Sequence, residues 1–239
     1  MGDVAALLKE NLANVRGRMS AACQRAGRPA DSVALVAVTK TVDAATARML
    51  YDLGVRDFGE NRVPQAEEKA AALSGLDIRW HMIGHLQRNK VKKALPLFGM
   101  IHSVDSLRLA KEIDKEAQKR GSAIDVLIQA NTSGEESKFG LAPGDALPLV
   151  KEAAGMAGLR VRGLMTMAPF YDNPEDCRPC FRALRELRDE IAKAGIENVE
   201  MKHLSMGMTN DFEVAIEEGA DIVRVGSALF RGIVPATQH

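Results

Sequence analysis

Val33-Ala34-Leu35-Val36-Ala37-Val38-Thr39-Lys40 is an unbroken run of strand-forming residues that ends on a primary amine. With no polar alternation, it reads as a strand covered on both faces, the pattern of a parallel sheet between helices. Lys40 is thereby carried to the rim of that sheet. Loss of water there lowers an amine's pKa and makes it a nucleophile toward aldehydes. Most lysines are solvated, so the residue gains meaning only from what surrounds it.

The same rhythm extends along the chain. An opening amphipathic helix from Val4 to Ala26 ends at Gly27-Arg28-Pro29, a helix stop. Apolar runs then fall at Val33 to Thr39, Val55 to Gly59, Ile78 to Ile83, Met100 to Val104, Ile124 to Ala130, Val161 to Met167, Val199 to Leu204 and Ile222 to Val225. Between them lie helical stretches at Ala44 to Leu53, Val63 to Leu73, Leu86 to Ala94, Ser106 to Arg120, Leu147 to Met156, Glu175 to Ala194 and Asp211 to Glu218. Gly54, Gly121, Gly195 and Gly219 stand where helices close in the left-handed region. Strands alternating with helices through short connections make either a closed (β/α)8 barrel or a doubly wound open sheet. The polar residues favour the barrel. Lys40, Glu60, Asn61, His85, Asn131, Ser205, Gly226 and Ser227 all follow strand C-terminal ends, which converge on one mouth only in a barrel. No G-x-G-x-x-G follows the first strand, which weakens the dinucleotide-binding alternative. The expected fold is α/β, one (β/α)8 TIM barrel over residues 1–239 with an extra N-terminal helix.

Composition narrows the function classes. Lys plus Arg and Asp plus Glu are both 32, so no global field draws in nucleic acid or an anionic membrane. Aromatic residues are 4%, too few for a base-stacking surface. No apolar run approaches the roughly 18 residues of a membrane helix, and Met1 to Glu10 lacks a basic-then-apolar signal pattern. The expectation is a cytoplasmic protein. Its 3 cysteines show no framework spacing. Cys177-Arg178-Pro179-Cys180 has no second Cys or His pair to complete a zinc site, and no metal centre is expected.

The last two strand ends carry a second chemical signal. Ser205-Met206-Gly207-Met208-Thr209 and Gly226-Ser227-Ala228 each offer a hydroxyl and a glycine, which let backbone N–H groups approach an anion. Barrels frequently bind phosphate in the loops after strands seven and eight. Ordinary turns with Thr209 and Asp211 as helix caps would explain either loop alone; both together, opposite Lys40, point to phosphate. Arg224 shares the face of Gly226 by strand alternation. It is either a surface arginine paired to Glu213 or Asp221, or a donor to a ligand ring nitrogen. An imine-forming amine, a phosphate cup and a donor for a pyridine nitrogen together specify pyridoxal 5′-phosphate.

The segments Ala37-Val38-Thr39-Lys40, Phe58-Gly59-Glu60-Asn61, Trp80 to Lys90, Leu204-Ser205-Met206-Gly207-Met208 and Arg224-Val225-Gly226-Ser227 closely resemble the pyridoxal phosphate homeostasis proteins (YggS/PROSC type), relatives of the alanine racemase N-terminal barrel. The resemblance spans about Val33 to Gly232. It implies that Lys40 is the Schiff-base lysine, that Asn61 lies beside the cofactor, that Arg224 bonds the pyridine nitrogen, and that Ser205, Gly226 and Ser227 hold the phosphate. The family usually has threonine where this chain has Ser227; a hydroxyl survives the change. An arginine cannot accept a proton from the ring, so the cofactor is held without strong activation for carbanion chemistry.

Racemisation needs an acid/base group on each face of the cofactor. The resembling racemases take the second, a tyrosine, from an additional C-terminal domain for which a chain ending at His239 leaves no room. Of the two tyrosines, Tyr51 lies within a helix and Tyr171 follows strand six. The reading is therefore a monomeric carrier with no catalytic residue, delivering cofactor to apo enzymes. A pyridoxal phosphate-dependent racemase-like enzyme and a cofactor-free aldolase-type barrel remain its rivals. Lys138, in the polar loop after strand five, is a second amine for cofactor relay. The basic run from Gly84 to Lys93 reads as a solvated helix face, and His81 and His203 as core histidines.

Overall fold

The computed structural model describes residues 2–135 and 139–233. Its elements run α1 (Gly2–Arg25), β1 (Ala34–Val38), α2 (Ala44–Asp52), β2 (Asp57–Glu60), α3 (Val63–Ala72), β3 (Arg79–Met82), α4 (Val91–Ala94), β4 (Met100–Val104), α5 (Leu107–Lys119), β5 (Ile124–Gln129), α6 (Pro143–Ala154), β6 (Leu159–Met165), α7 (Arg178–Lys193), β7 (Val199–Ser205), α8 (Phe212–Glu217) and β8 (Ile222–Val225). All eight strands pair in parallel and in chain order, and β8 closes on β1. The barrel expected from the alternation is present.

Local chemistry sets the boundaries. Asp43 accepts a hydrogen bond from Thr46 N at 2.8 Å and starts α2; Ser106 does the same for α5 through Leu109 N. Gly54, Gly121, Gly195 and Gly219 all have positive φ after their helices, as the sequence predicts. Helix α6 begins at Pro143, four residues before the expected Leu147. Pro143-Gly144 reads as a loop, but proline fits the first turn of a helix, where its missing N–H leaves no bond unmade. Residues Pro174–Cys177 form a 3-10 turn that leads into α7, whose Cys180, Phe181, Leu184, Leu187 and Ile191 make one buried stripe.

Helix α1 packs on α8 beside the closing strands. Leu8, Leu12, Val15, Met19 and Ala22 are its buried stripe. Asn11 Nδ2 donates to Leu229 O and Arg231 O, and Arg18 and Arg25 pair with Glu213 and Glu217. Arg28 donates to Ile216 O and Ala220 O and pairs with Asp221.

One glycine is required by the sheet itself. Register shifts between β6 and β7 at Val161/Gly163, where Gly163 has φ 148 and a Cβ would fall on the carbonyl of His203. Gly163→Ala is expected to cost about 3 kcal/mol or more from backbone strain and steric overlap. Thermal unfolding would then move down by roughly 6–12 °C in a domain of this size.

Candidate functional site at the barrel mouth

Three neighbouring strands bring the expected residues to one face. Val36 is in register with Arg224, and Val38 with Gly59. Counting by two from these pairs, Val36, Val38, Gly59 and Arg224 face the barrel axis, and Lys40, Asn61 and Gly226 follow the same three strands at the rim. They differ in depth. Arg224 (3% exposed) and Ser205 (0%) lie on the floor, Gly226 and Asn61 are half-buried above them, and Lys40 and Ser227 are exposed at the rim.

Lys40 is not desolvated, as the apolar run before it suggested. The strand ladder ends at Val38, and Val42 N bonds to Thr39 O, so Lys40 sits on a turn in water. Its backbone is nonetheless fixed from below. Lys69 Nζ donates to Thr39 O at 2.5 Å and to Glu60 Oε1 at 2.6 Å, and Thr39 Oγ1 donates to the same carboxylate oxygen at 2.6 Å. Glu60 is therefore not a mouth residue. It points outward to α3, where a fully buried carboxylate needs a buried cation. Lys69 was legible only as a lysine on the apolar stripe Val63–Ala66–Lys69.

Asn61 takes its place through a close approach of β2 and the loop after β3. A Cβ on Gly84 would stand 2.7 Å from Asn61 Cα. Asn61 Oδ1 is buried and has no hydrogen-bond partner among the described residues.

Arg224 Nη1 donates to Ser205 Oγ at 2.6 Å and Nη2 to Thr166 O at 2.8 Å. Desolvation pulls its pKa down to about 10, opposed by Asp211, so it stays a cation near neutrality. The surface pairing is ruled out: Glu213 pairs with Arg18 and Asp221 with Arg28. Among the described residues no carboxylate lies within ion-pair distance of this guanidinium. Two of its five N–H donors are engaged, and a buried cation in that condition is costly unless an acceptor arrives.

The loops after β7 and β8 are joined by Ala228 N donating to Thr209 Oγ1 at 3.3 Å. Gly207 has φ 92 and its carbonyl accepts from Arg224 N, while Met208 N donates to Asp211. Burial raises the Asp211 carboxyl against these bonds. Ser227 opens a turn closed by Leu229 N on Gly226 O. Ser205, by contrast, has its hydroxyl bonded to Arg224 and to His102 Nδ1 (2.9 Å), below the rim.

The remaining residues separate. Tyr51 lies under Arg56 on α2, 3.9 Å from ring centre to guanidinium. Tyr171 is partly exposed, and its carbonyl accepts from Asn210, which brings the β6 and β7 loops together. Asn131 braces its own loop through Ser133 and Glu135. His85 bonds Asp105 and stacks on Phe139 beside a cavity of about 650 Å³. In the basic run, Val91 and Ala94 are buried while Lys92 and Lys93 are exposed, a solvated helix face. Cys177 and Cys180 are buried thiols. Desolvation, with Asp211 beside it, pushes Cys177 up to about 12, far from a thiolate. Lys138 lies outside the described residues. No group of three metal-ligating side chains occurs among the described residues, and no helix there is long and apolar enough to cross a membrane.

Residues 10–233 match the family model described as alanine racemase, N-terminal domain. The chain is 48% identical over 221 residues to the pyridoxal phosphate homeostasis protein of Aquifex aeolicus, covering 92% of this chain and 96% of the relative. The structure of PipY from Synechococcus elongatus with PLP bound superposes with a TM-score of 0.82 at 34% identity, over 93% of this chain and 99% of that one. An alanine racemase from Clostridium difficile shares the fold at 17% identity (TM-score 0.74), with 96% of this chain matching 57% of that one.

Proposed function

Because this chain belongs to the pyridoxal phosphate homeostasis protein family and carries an alanine racemase N-terminal domain, we propose that it binds pyridoxal 5′-phosphate at the barrel mouth through Lys40 and holds the cofactor for delivery. When bound, that group supplies an aldehyde that condenses with an amine, an aromatic ring nitrogen and a phosphate. The observation that carries the reading is Arg224, a buried cation with unused donors, on the strand paired with the one that leads to Lys40.

The residues fit the group. Lys40 offers an amine at the rim, and Arg224 offers N–H donors to a ring nitrogen while giving that nitrogen no proton acceptor. Asn61 brings an amide whose oxygen is unmatched. Gly226 and Ser227 offer backbone and hydroxyl to the phosphate, and the linked Thr209 stiffens their loop. Ser205 contributes by fixing Arg224, since its hydroxyl is committed there and to His102.

Holding is favoured over turnover because a racemase needs a second acid/base group on the face opposite the lysine. Tyr51 is engaged under Arg56 on the outer layer, and Tyr171 is exposed on the loop after β6. On this reading the recipients are apo forms of pyridoxal phosphate-dependent enzymes and the holder is a cytoplasmic monomer. The even charge balance supports the absence of nucleic-acid and membrane partners. Adding pyridoxal phosphate to the purified protein should produce absorbance at roughly 330–430 nm, discharged by hydroxylamine. Amino-acid-dependent spectral turnover would favour the enzyme instead, and no absorbance change would reject the assignment.

A further inference from the structure

One chain of hydrogen-bonded side chains crosses the barrel interior from the mouth to the opposite end. Arg224 on β8 bonds Ser205 on β7; Ser205 Oγ bonds His102 Nδ1 on β4 at 2.9 Å; His102 Nε2 meets His81 Nδ1 on β3 at 2.9 Å; and His81 Nε2 meets Asp57 Oδ1 on β2 at 3.0 Å. Asp57 opens its strand, so it stands at the far end from Lys40, where Arg79 grips it with Nε and Nη2 at 2.6 and 2.5 Å. Ser205 and His102 are fully buried, and His81 nearly so.

The two ends give this chain a direction. A guanidinium only donates and a carboxylate only accepts. Asp57 pulls the His81 proton onto Nε2, which leaves Nδ1 of that ring as an acceptor. His102 must then carry its proton on Nε2, and its bare Nδ1 takes the hydroxyl hydrogen of Ser205. Ser205 is left with lone pairs facing Arg224. The opposite order would set an unprotonated Nε2 against a carboxylate. Both rings are neutral in this arrangement. Desolvation above all, with the nearby Arg224 guanidinium adding to it, holds His102 well below 6.5. Desolvation raises Asp57, but hydrogen bonds from His81 and Arg79 outweigh it and bring the carboxyl to about 2, so the accepting end stays ionised.

We propose that Asp57, His81 and His102 are positioning residues: acting through Ser205, they lock Arg224 with two N–H groups tied to the floor and the others free to face a ligand at the mouth. The ligand identity rests on the function proposed above; the direction of the chain does not. Nitrogen-15 NMR of the histidine side chains near neutral pH tests the direction in the protein without cofactor. Both His81 and His102 are expected as Nε2–H tautomers, and an Nδ1–H tautomer or an imidazolium in either ring overturns the proposal. Asp57→Asn, which replaces an acceptor-only carboxylate with an amide that can also donate, is expected to weaken pyridoxal phosphate affinity roughly 3–10-fold, the scale of one adjusted hydrogen bond. The absorbance band of the bound cofactor should shift while borohydride still fixes it to Lys40. A folded Asp57→Asn protein with unchanged affinity and unchanged band overturns the positioning role. Should that variant fail to fold because Arg79 loses its partner, His102→Leu cuts the same chain with the Asp57–Arg79 pair intact and is read by the same two outcomes. A wild-type protein that takes up no cofactor refutes the function proposal, whereas the tautomers still decide the chain.

Discussion

Lys40→Ala is expected to abolish covalent capture of pyridoxal phosphate while leaving the fold intact. The wild-type protein treated with cofactor and borohydride should yield one modified peptide, containing Lys40; the variant should yield none. Stability should change by no more than about 0.5 kcal/mol, as for most exposed positions, because Lys40 is exposed beyond the last ladder pair. The Glu60–Lys69–Thr39 cluster beneath it uses only the backbone carbonyl of Thr39 and side chains that the variant keeps. Residual weak binding through Arg224, Gly226 and Ser227 is compatible with this outcome. A covalent label on another lysine, in either protein, would move the attachment point, with Lys138 the first place to look.

Arg224→Met is expected to separate binding from stability. A lost hydrogen bond to a charged donor is worth about 1.5–3 kcal/mol, so cofactor affinity should fall by roughly 10–150-fold. Removing a buried cation that lacks a carboxylate partner relieves a desolvation cost of several kcal/mol. Leaving Ser205 Oγ and Thr166 O without that donor costs about 1–3 kcal/mol each. These opposing effects nearly cancel. Urea denaturation of the cofactor-free variant should show a midpoint close to wild type, unlike the loss of about 3–5 kcal/mol seen when one partner of a buried ion pair is removed. A large fall in stability would mean that Arg224 is chiefly a structural residue.

The architecture was readable from the chain because strand and helix periods alternate without a break, and because glycine marks the helix ends where φ is positive. The mouth was readable for a related reason. In a barrel every strand's C-terminal end meets the others, so position along the strand suffices. Facing was harder. Asp57–Glu60 has four residues, and alternation alone does not say whether Glu60 or Asn61 looks inward until the pairing with β1 fixes it. Depth was harder still. Lys40 follows an apolar run yet stands in water, and Ser205 ends a strand that carries Glu200, Lys202 and His203 yet is fully buried. The His81–His102 contact joins residues on separate strands whose sequence neighbours say nothing of each other. Reading His81 only as a satisfied core histidine misses that, through His102, it connects the two ends of one barrel.

On the function proposed above, the open position of Lys40 has a consequence for release of the bound group. An amine surrounded by solvent makes a bond that water and an incoming amine can also reach. Handing over the aldehyde would then need only a competitor at the exposed rim. The proposed holder would thereby trade tight retention for ready exchange.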